Sequence, residues 1–381
     1  MLLTVASAVA LAAWAAVLLL PWQPHRVRER LEAASEGPVL DDVTVLIPAR
    51  NEAAVIERTL AALSRQGPGL DVIVVDDESD DGTAELCMRF CVGAADTGSS
   101  HPTSLCVVSG RPRPAGWSGK LWALEQGFER VQRPRVLLLD ADIELAPGTI
   151  AALVEQSERT GADLVSIMAT LRCRTFAERL LAPPFVFFFK LLYPFALANS
   201  PRSRVAAAAG GCILVGTEAL RGLGGFAPLR GALIDDCTFA AALKGRGHRT
   251  WIGMSRSVRS LRPYGFGDFW RMVSRTAFTQ LRYSPLLLLG TTAAMLLVFV
   301  APVAALLTTT SMHTAVVAAA ALAAMGLAYL PVVRFYALPA AWVLTLPLAG
   351  ALFLGMTWDS AIRYWRGVRA RWKDRAYGVT E

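Results

Sequence analysis

Residues 2–22 carry no charge and are almost wholly apolar. About 20 such residues cross a hydrocarbon core as a helix. A cleaved signal peptide would need a basic stretch before the run, and none is present. Arg26, Arg28 and Arg30 follow it instead. Basic flanks stay in the cytoplasm, which predicts an anchor over 1–24, an outward N-terminus and cytoplasmic chain from residue 25.

A second apolar region runs from Pro285 to Thr357, with Arg334 as its one full charge. It holds three stretches long enough to cross, 285–311, 314–333 and 335–357. A basic tail over 358–381 follows, with Arg363, Arg366, Arg369, Arg371, Lys373 and Arg375. Three crossings after a cytoplasmic domain would leave that tail outside, against the positive-inside preference. Pro339 and Pro347 break helices, so 335–357 reads equally as a re-entrant or interfacial segment. The tail is expected in the cytoplasm, with two or three C-terminal spans.

Between the anchors, short β-branched runs alternate with helical patterns. Strands are predicted at Val43–Ile47, Val72–Val75, Leu105–Val108 and Val136–Leu139, and helices at 52–65, 81–90, 119–131 and 237–245. Strand and helix in turn make βαβ units and an α/β domain with a mainly parallel sheet over 41–263. Ligands of such sheets bind at the carboxyl ends of the strands. There is no GxGxxG after the first strand and no GxxxxGK[ST], which disfavours dinucleotide and P-loop chemistry.

Two segments depart from this pattern. Residues 176–198 are strongly apolar but interrupted by Pro183, Pro184, Lys190 and Pro194, which suits an interfacial segment or a buried core helix. Residues 264–284 place Phe266, Phe269, Trp270, Val273, Ala277 and Leu281 at helical spacing. Arg271, Arg275 and Arg282 lie along another face, as in an amphipathic helix on a membrane or one facing a diphosphate.

Of the 381 residues, 54% are hydrophobic and 18% charged, where soluble domains carry about 25% charge. That excludes disorder and an ordinary soluble enzyme. The net charge of +7 sits beside the apolar segments, so an anionic lipid surface is expected and a nucleic-acid partner is not. The six cysteines form no CxxC pair and read as reduced thiols. Cys87 and Cys91 share a helix face, but no second pair accompanies them to make a zinc site.

Chemistry concentrates at the strand ends. Asp140-Ala-Asp142 closes one strand with two carboxylates, as hard Mg²⁺ or Mn²⁺ wants, although a solvated turn has the same look. Asp76-Asp77 closes another, and Ser79 or Asp80 is a candidate cap for the next helix. Lys120, in Gly116-Trp-Ser-Gly-Lys120, begins a helix after a Gly/Pro loop and can hold a diphosphate or be a surface lysine. In Leu233-Ile-Asp-Asp236 one acid can cap the following helix while the other serves as a base.

In this order the motifs resemble a family 2 glycosyltransferase of GT-A fold. The residues are Ile47-Pro-Ala-Arg-Asn-Glu52, Val74-Val-Asp-Asp-Glu-Ser-Asp-Asp-Gly-Thr83, Gly116–Lys120, Asp140-Ala-Asp142, Asp235-Asp236 and Arg271-Met-Val-Ser-Arg275. More narrowly, Leu233–Cys237, Arg275–Tyr283 and the hydrophobic tail are similar to hopene-associated glycosyltransferases of bacterial hopanoid clusters. The resemblance implies Pro48, Arg50, Glu52, Asp76 and Asp77 around the nucleotide, with Lys120, Asp140, Arg271 and Arg275 toward the donor diphosphate. Asp142, helped by Asp140, would hold Mg²⁺ or Mn²⁺, and Asp236, beside Asp235, would be the general base. The usual Glu-Asp is Asp235-Asp236 here, and the tryptophan that often follows the last arginine is Thr276. Its loss weighs against a processive polysaccharide synthase and suits transfer of one sugar to a lipid at the bacterial inner membrane. A polyprenyl-phosphate sugar transferase and a catalytically silent nucleotide-sugar-binding scaffold are the alternatives.

Overall fold

The structure, a computed structural model, describes residues 1–33, 39–94, 104–232, 234–367, 371–372 and 375–376. The Cys91 side chain, Leu233 and, in the basic tail, Arg369 and Lys373 lie outside the described residues.

In chain order the helices and strands begin with α1 (Leu2–Leu19), β1 (Val43–Ala49), α2 (Ile56–Leu63), β2 (Asp71–Asp76), α3 (Thr83–Ala94) and β3 (Ser104–Ser109). They continue with α4 (Gly119–Phe128), β4 (Arg135–Leu139), β5 (Ile143–Leu145), α5 (Thr149–Thr160), β6 (Leu164–Thr170), α6 (Phe176–Leu192) and α7 (Phe195–Ala198). Then come β7 (Cys212–Gly216), α8 (Thr217–Leu223), α9 (Asp235–Gly245), β8 (Thr250–Ser260) and α10 (Phe266–Gln280). The last are α11 (Pro285–Met295), α12 (Ala301–Thr308), α13 (Met312–Phe335) and α14 (Leu346–Trp365). They form two compact units, one of Glu29–Arg172, Leu197–Arg262 and the end of the chain, the other of Met1–Arg28, Cys173–Ala196 and Pro263–Arg369.

The first unit is built on an eight-stranded sheet ordered β3-β2-β1-β4-β7-β6-β8-β5. β1, β2, β3 and β4 are parallel neighbours, while β7 runs antiparallel between β4 and β6. Every residue of β1 is buried, as expected for a strand covered on both faces. Its side chains alternate: Val43, Val45, Ile47 and Ala49 join one core cluster, whereas Leu46 joins the other. Since the first four strands are parallel, the acids that end β1, β2 and β4 reach the same edge.

The second unit is helical. Four stretches are long and apolar enough to cross a membrane, Leu2–Leu19, Pro285–Thr308, Met312–Phe335 and Ala340–Trp365. α6 starts with a capping box, in which Thr175 and Glu178 bond each other's backbone amides. It runs unbroken through Pro183 and Pro184, the expected interruptions. Both prolines are buried, as are Val186 and Phe187, so packing outweighs the lost backbone bonds. Phe187 lies 5.2 Å from the Tyr329 ring, and Phe188 lies 4.9 Å from Phe353.

The apolar stripe of α10 is buried within this unit. Phe269 packs edge-on to Phe185 and faces Phe353 of α14. Trp270 Nε1 donates to Asp359 Oδ2 at 2.8 Å, and the Phe278 amide donates to Ser360 Oγ at 3.0 Å. α14 runs antiparallel to α11. Trp358 Nε1 donates to Thr292 Oγ1 at 2.9 Å, while Gly350, eight residues earlier, lies against the Phe299 ring. Leu288 and Ala361 share one small cluster, and Tyr283 stacks on Tyr364 at 4.4 Å.

Candidate active site

The β1–α2 and β2–α3 loops are stitched at the strand ends. Arg50 Nη1 donates to the Asp77 carbonyl and, at 3.1 Å, to the Glu78 carbonyl. The Asn51 amide donates to Ser79 Oγ, and Asn51 Oδ1 accepts from the Asp80 amide. The Glu52 amide donates to Thr83 Oγ1. Neither Ser79 nor Asp80 makes the expected contact with the start of α3. Asp81 does, accepting from the Thr83 amide at 3.1 Å and the Ala53 amide at 2.9 Å, because its carboxylate sits two residues before the helix.

Asp76 and Asp77 are buried at this corner. Asp76 Oδ2 accepts from the Ser79 amide, but buried Asp76 Oδ1 and Arg50 Nε find no hydrogen-bond partner among the described residues. An orphaned acceptor and an orphaned donor at neighbouring strand ends suit a polar ligand.

At the end of β4 a second cluster forms. Lys120 Nζ meets Asp140 Oδ1 at 2.6 Å and donates to the Gly210 carbonyl at 3.3 Å. Lys120 is thus no surface lysine, with its side chain only 18% exposed in the first turn of α4, which Ser118 caps. The antiparallel register of β7 brings Gly210-Gly211 beside β4, where the Asp140 amide donates to the Gly211 carbonyl. A Cβ on Gly210 would lie 3.4 Å from Lys120 Nζ and 3.5 Å from Asp236 Oδ2, so glycine keeps this space open.

Asp236 accepts from the Gly210 amide at 2.9 Å and from the Cys237 amide at 2.7 Å, one bond per oxygen. Neither Asp235 nor Asp236 caps α9, contrary to expectation. Both lie in its first turn, and Ile234 occupies the cap position. There both gain from the helix dipole, and Asp236 also satisfies the first-turn amide of Cys237. Pro48, Lys120, Asp140, Gly210, Asp235 and Asp236 line one pocket, floored by apolar side chains.

The electrostatics are those of a buried charge cluster. Burial and the neighbouring Asp235 charge push the Asp236 carboxyl up to about 6, against the amides of Cys237 and Gly210 and the Lys120 charge. Burial also raises Asp140, opposed by the Lys120 ammonium. Burial alone would depress Lys120, but Asp140, Asp235 and Asp236 outweigh it and hold the ammonium above its usual range.

Asp142 is tied to β8. Its Oδ2 accepts from Ser260 Oγ and from Arg262 Nε, both at 3.1 Å, and Arg262 Nη2 reaches Glu52 Oε1 at 2.7 Å. Arg262 and Ser260 escaped the sequence reading, since nothing in Ser260-Leu-Arg-Pro263 marks them without the β8 register. Gly210-Gly211 did carry a signal, a glycine pair just before a strand. Arg271 and Arg275 belong to the helical unit. Arg271 pairs with Asp268 in an exposed position, and buried Arg275 Nε has no hydrogen-bond partner among the described residues.

Among the described residues no three His, Cys, Asp or Glu side chains form a metal-holding group. Asp140 and Asp142 nonetheless fit a Mg²⁺-like ion. Both pair with cations, so both are anionic oxygen donors, and such an ion needs only one or two carboxylates when phosphate and water fill its remaining positions.

Comparison with known proteins bears on the family and the fold. The family model "Glycosyl transferase family 2" matches residues 44–224, and "Glycosyl transferase family group 2" matches residues 135–354. A 4,4'-diaponeurosporenoate glycosyltransferase of Staphylococcus haemolyticus is 32% identical over 29% of this chain and 26% of its own length. An undecaprenyl-phosphate 4-deoxy-4-formamido-L-arabinose transferase of Pectobacterium atrosepticum is 34% identical over 35% of this chain and 38% of its own. The match thus spans well under half the length of these relatives. The mannosyltransferase PcManGT of Pyrobaculum calidifontis, solved with GDP-Man and Mn²⁺, superposes with a TM-score of 0.56 at 22% identity. That likeness covers 95% of this chain and 99% of the other and shows a shared GT-A-type fold. With over half its length matched by one family model, the chain belongs to glycosyl transferase family group 2.

Proposed function

We propose that the protein is a membrane-bound, inverting glycosyltransferase that moves one sugar from a nucleotide-sugar to the hydroxyl of a lipid, of hopanoid or other isoprenoid type. The observation that carries this is Asp236, held by two amides beside the Lys120–Asp140 pair in one pocket. Asp236 takes the proton from the acceptor hydroxyl as that oxygen bonds the anomeric carbon from the far face. The bond from that carbon to the phosphate oxygen breaks, and the nucleoside diphosphate leaves with the electron pair. Lys120 offers its charge to the leaving oxygens. Asp76 and Arg50 offer their unpaired polar atoms to the nucleoside. A Mg²⁺ or Mn²⁺ held by Asp140 and Asp142 would supply further neutralisation of the leaving group.

A second reading, transfer to a lipid phosphate, is favoured by the names of the undecaprenyl-phosphate relatives. Release of nucleoside diphosphate by the protein in detergent, screened over UDP- and GDP-sugars with extracted bacterial lipids, separates the two. For a hydroxyl acceptor, Asp236→Asn lowers lipid-dependent release by about 10²–10⁴-fold. A phosphate acceptor is already ionised and needs no base, so near-normal turnover in Asp236→Asn would overturn the first reading. Donor binding without release under every lipid would point to a silent scaffold.

The packing of the helical unit supports an orientation in which the chain crosses the bilayer three times. Thr4 of α1 hydrogen-bonds Thr314 at the start of α13, so the other end of α1, with Arg26 and Arg28, lies toward the α13 end that carries Arg334. Val343, eight residues past that end, packs against Gly326, about 13 Å back along α13. α14 then descends beside α11 until Tyr364 meets Tyr283, just before α11 begins. Residues 336–365 enter and leave by one end, which gathers Arg26, Arg28, Arg334 and Arg363. The positive-inside rule makes that end cytoplasmic and brings the basic tail with it.

A further inference from the structure

Arg262 follows β8 in the sheet unit, and its guanidinium spans two acids from different strand ends, Glu52 after β1 and Asp142 after β4. Both carboxylates are nearly enclosed, with side-chain exposures of 10% each, whereas the arginine keeps 34%. Two enclosed carboxylates within reach of one guanidinium repel, and an ionised acid left unpaired at such depth is costly. A planar guanidinium with several N–H donors satisfies both at once, as an ammonium could not. Ser260 Oγ donates to the same Asp142 oxygen as Arg262 Nε, so that oxygen is fully engaged. Arg50, the other arginine of the corner, is committed to the Asp77 and Glu78 carbonyls and does not share this task.

We propose that Arg262 is a resident counter-ion, occupying Asp142 while the donor site is empty and exchanging with the divalent cation that arrives with the nucleotide-sugar. The proposal rests on the reading of Asp140 and Asp142 as the cation's ligands. An incoming Mg²⁺ or Mn²⁺ must displace the guanidinium from Asp142. The freed arginine then faces the diphosphate, whose negative charge replaces that of the carboxylate it has left. Exchange of one cation for another keeps the acids neutralised at every stage, and it makes cation binding weak until a diphosphate is present to take up the arginine. Arg262 is thus a positioning residue that couples cation binding to donor binding.

Manganese binding by the whole protein in detergent tests this without any turnover, since bound Mn²⁺ loses its free-ion paramagnetic resonance signal. Without nucleotide, Arg262→Gln is expected to bind Mn²⁺ at least fivefold more tightly than the parent protein. Arg262→Lys, reaching only one of the two acids, is expected to fall between. The gain should vanish in Arg262→Gln combined with Asp142→Asn. Addition of GDP or UDP should tighten Mn²⁺ binding more in the parent than in Arg262→Gln. Equal or weaker Mn²⁺ binding by an Arg262→Gln protein with an unchanged melting temperature would overturn the proposal. Absence of Mn²⁺ binding in every variant, even with nucleotide present, would remove the cation reading itself and the proposal with it.

Discussion

At Asp236 two opposed effects meet in one carboxyl. Amide donors and the Lys120 charge favour the anion, while burial and Asp235 disfavour it more, leaving the group near 6. On the proposed reading of Asp236 as the base, a carboxyl so poised would be ionised at neutral pH yet hold a proton better than a free aspartate, as proton abstraction from a hydroxyl requires. The sign of the pH dependence follows. Below about pH 6 the carboxyl is protonated and cannot act, so kcat should rise with pH through 6 and level above it. Replacing Asp235 with Asn removes the like charge and should move that inflection to lower pH, measurable as a shift in the kcat profile. An unmoved inflection would assign it to another group. Asp236 itself was legible from Asp-Asp at a helix start, but its partner Gly210 was not. The two are 26 residues apart and meet only because β7 is inserted antiparallel beside β4.

At the scale of elements, close approach depends on two glycines. Gly110, just past β3, donates its amide to the Asp76 carbonyl, and a Cβ there would lie 2.8 Å from that backbone oxygen. Gly110→Ala should therefore push β3 off β2 at the nucleotide corner, costing about 1–3 kcal/mol as overpacking does, read as a lower melting temperature together with weaker donor binding. Gly350 plays the same part in α14, where an added Cβ would lie 2.7 Å from Phe299, a ring already wedged between Trp14 and Phe188. Gly350→Ala should lower the melting temperature in detergent, whereas Gly290→Ala, with nothing within 4 Å, should not. Periodicity located α10 and its apolar stripe. It could not tell that the stripe faces α6 and α14, since a lipid face and a helix face want the same residues.

For the whole molecule, the charge count along the chain and the number of apolar stretches disagree, and the packing of α14 offers the resolution. On the proposed orientation residues 336–365 enter and leave by the same end, which would satisfy both length and charge without a fourth crossing. A fluorescent protein fused to the C-terminus should then fold and fluoresce in the cytoplasm of a bacterial host. Cysteine placed by Thr310→Cys, in the turn between α12 and α13, should react with a membrane-impermeant maleimide in intact cells. A dark fusion with an externally protease-sensitive tail would mean that Ala340–Trp365 crosses after all.

Composition and order along the chain determined much of this protein unaided. The uncharged runs specified membrane helices because hydrocarbon tolerates little else, and alternating strand and helix patterns specified an α/β sheet because each must bury one apolar face or two. Acids at strand ends marked the candidate site, since parallel strands deliver their carboxyl ends to one edge. Tertiary structure alone decided which acid meets which cation. The bond from Arg262 to Glu52 joins residues 210 positions apart, and that from Lys120 to Gly210 joins residues 90 apart. Such pairings depend on strand order and register, which local pattern does not encode. The same reason hid the course of residues 336–365: hydropathy measures what a segment can tolerate, while only its packing partners decide where it turns.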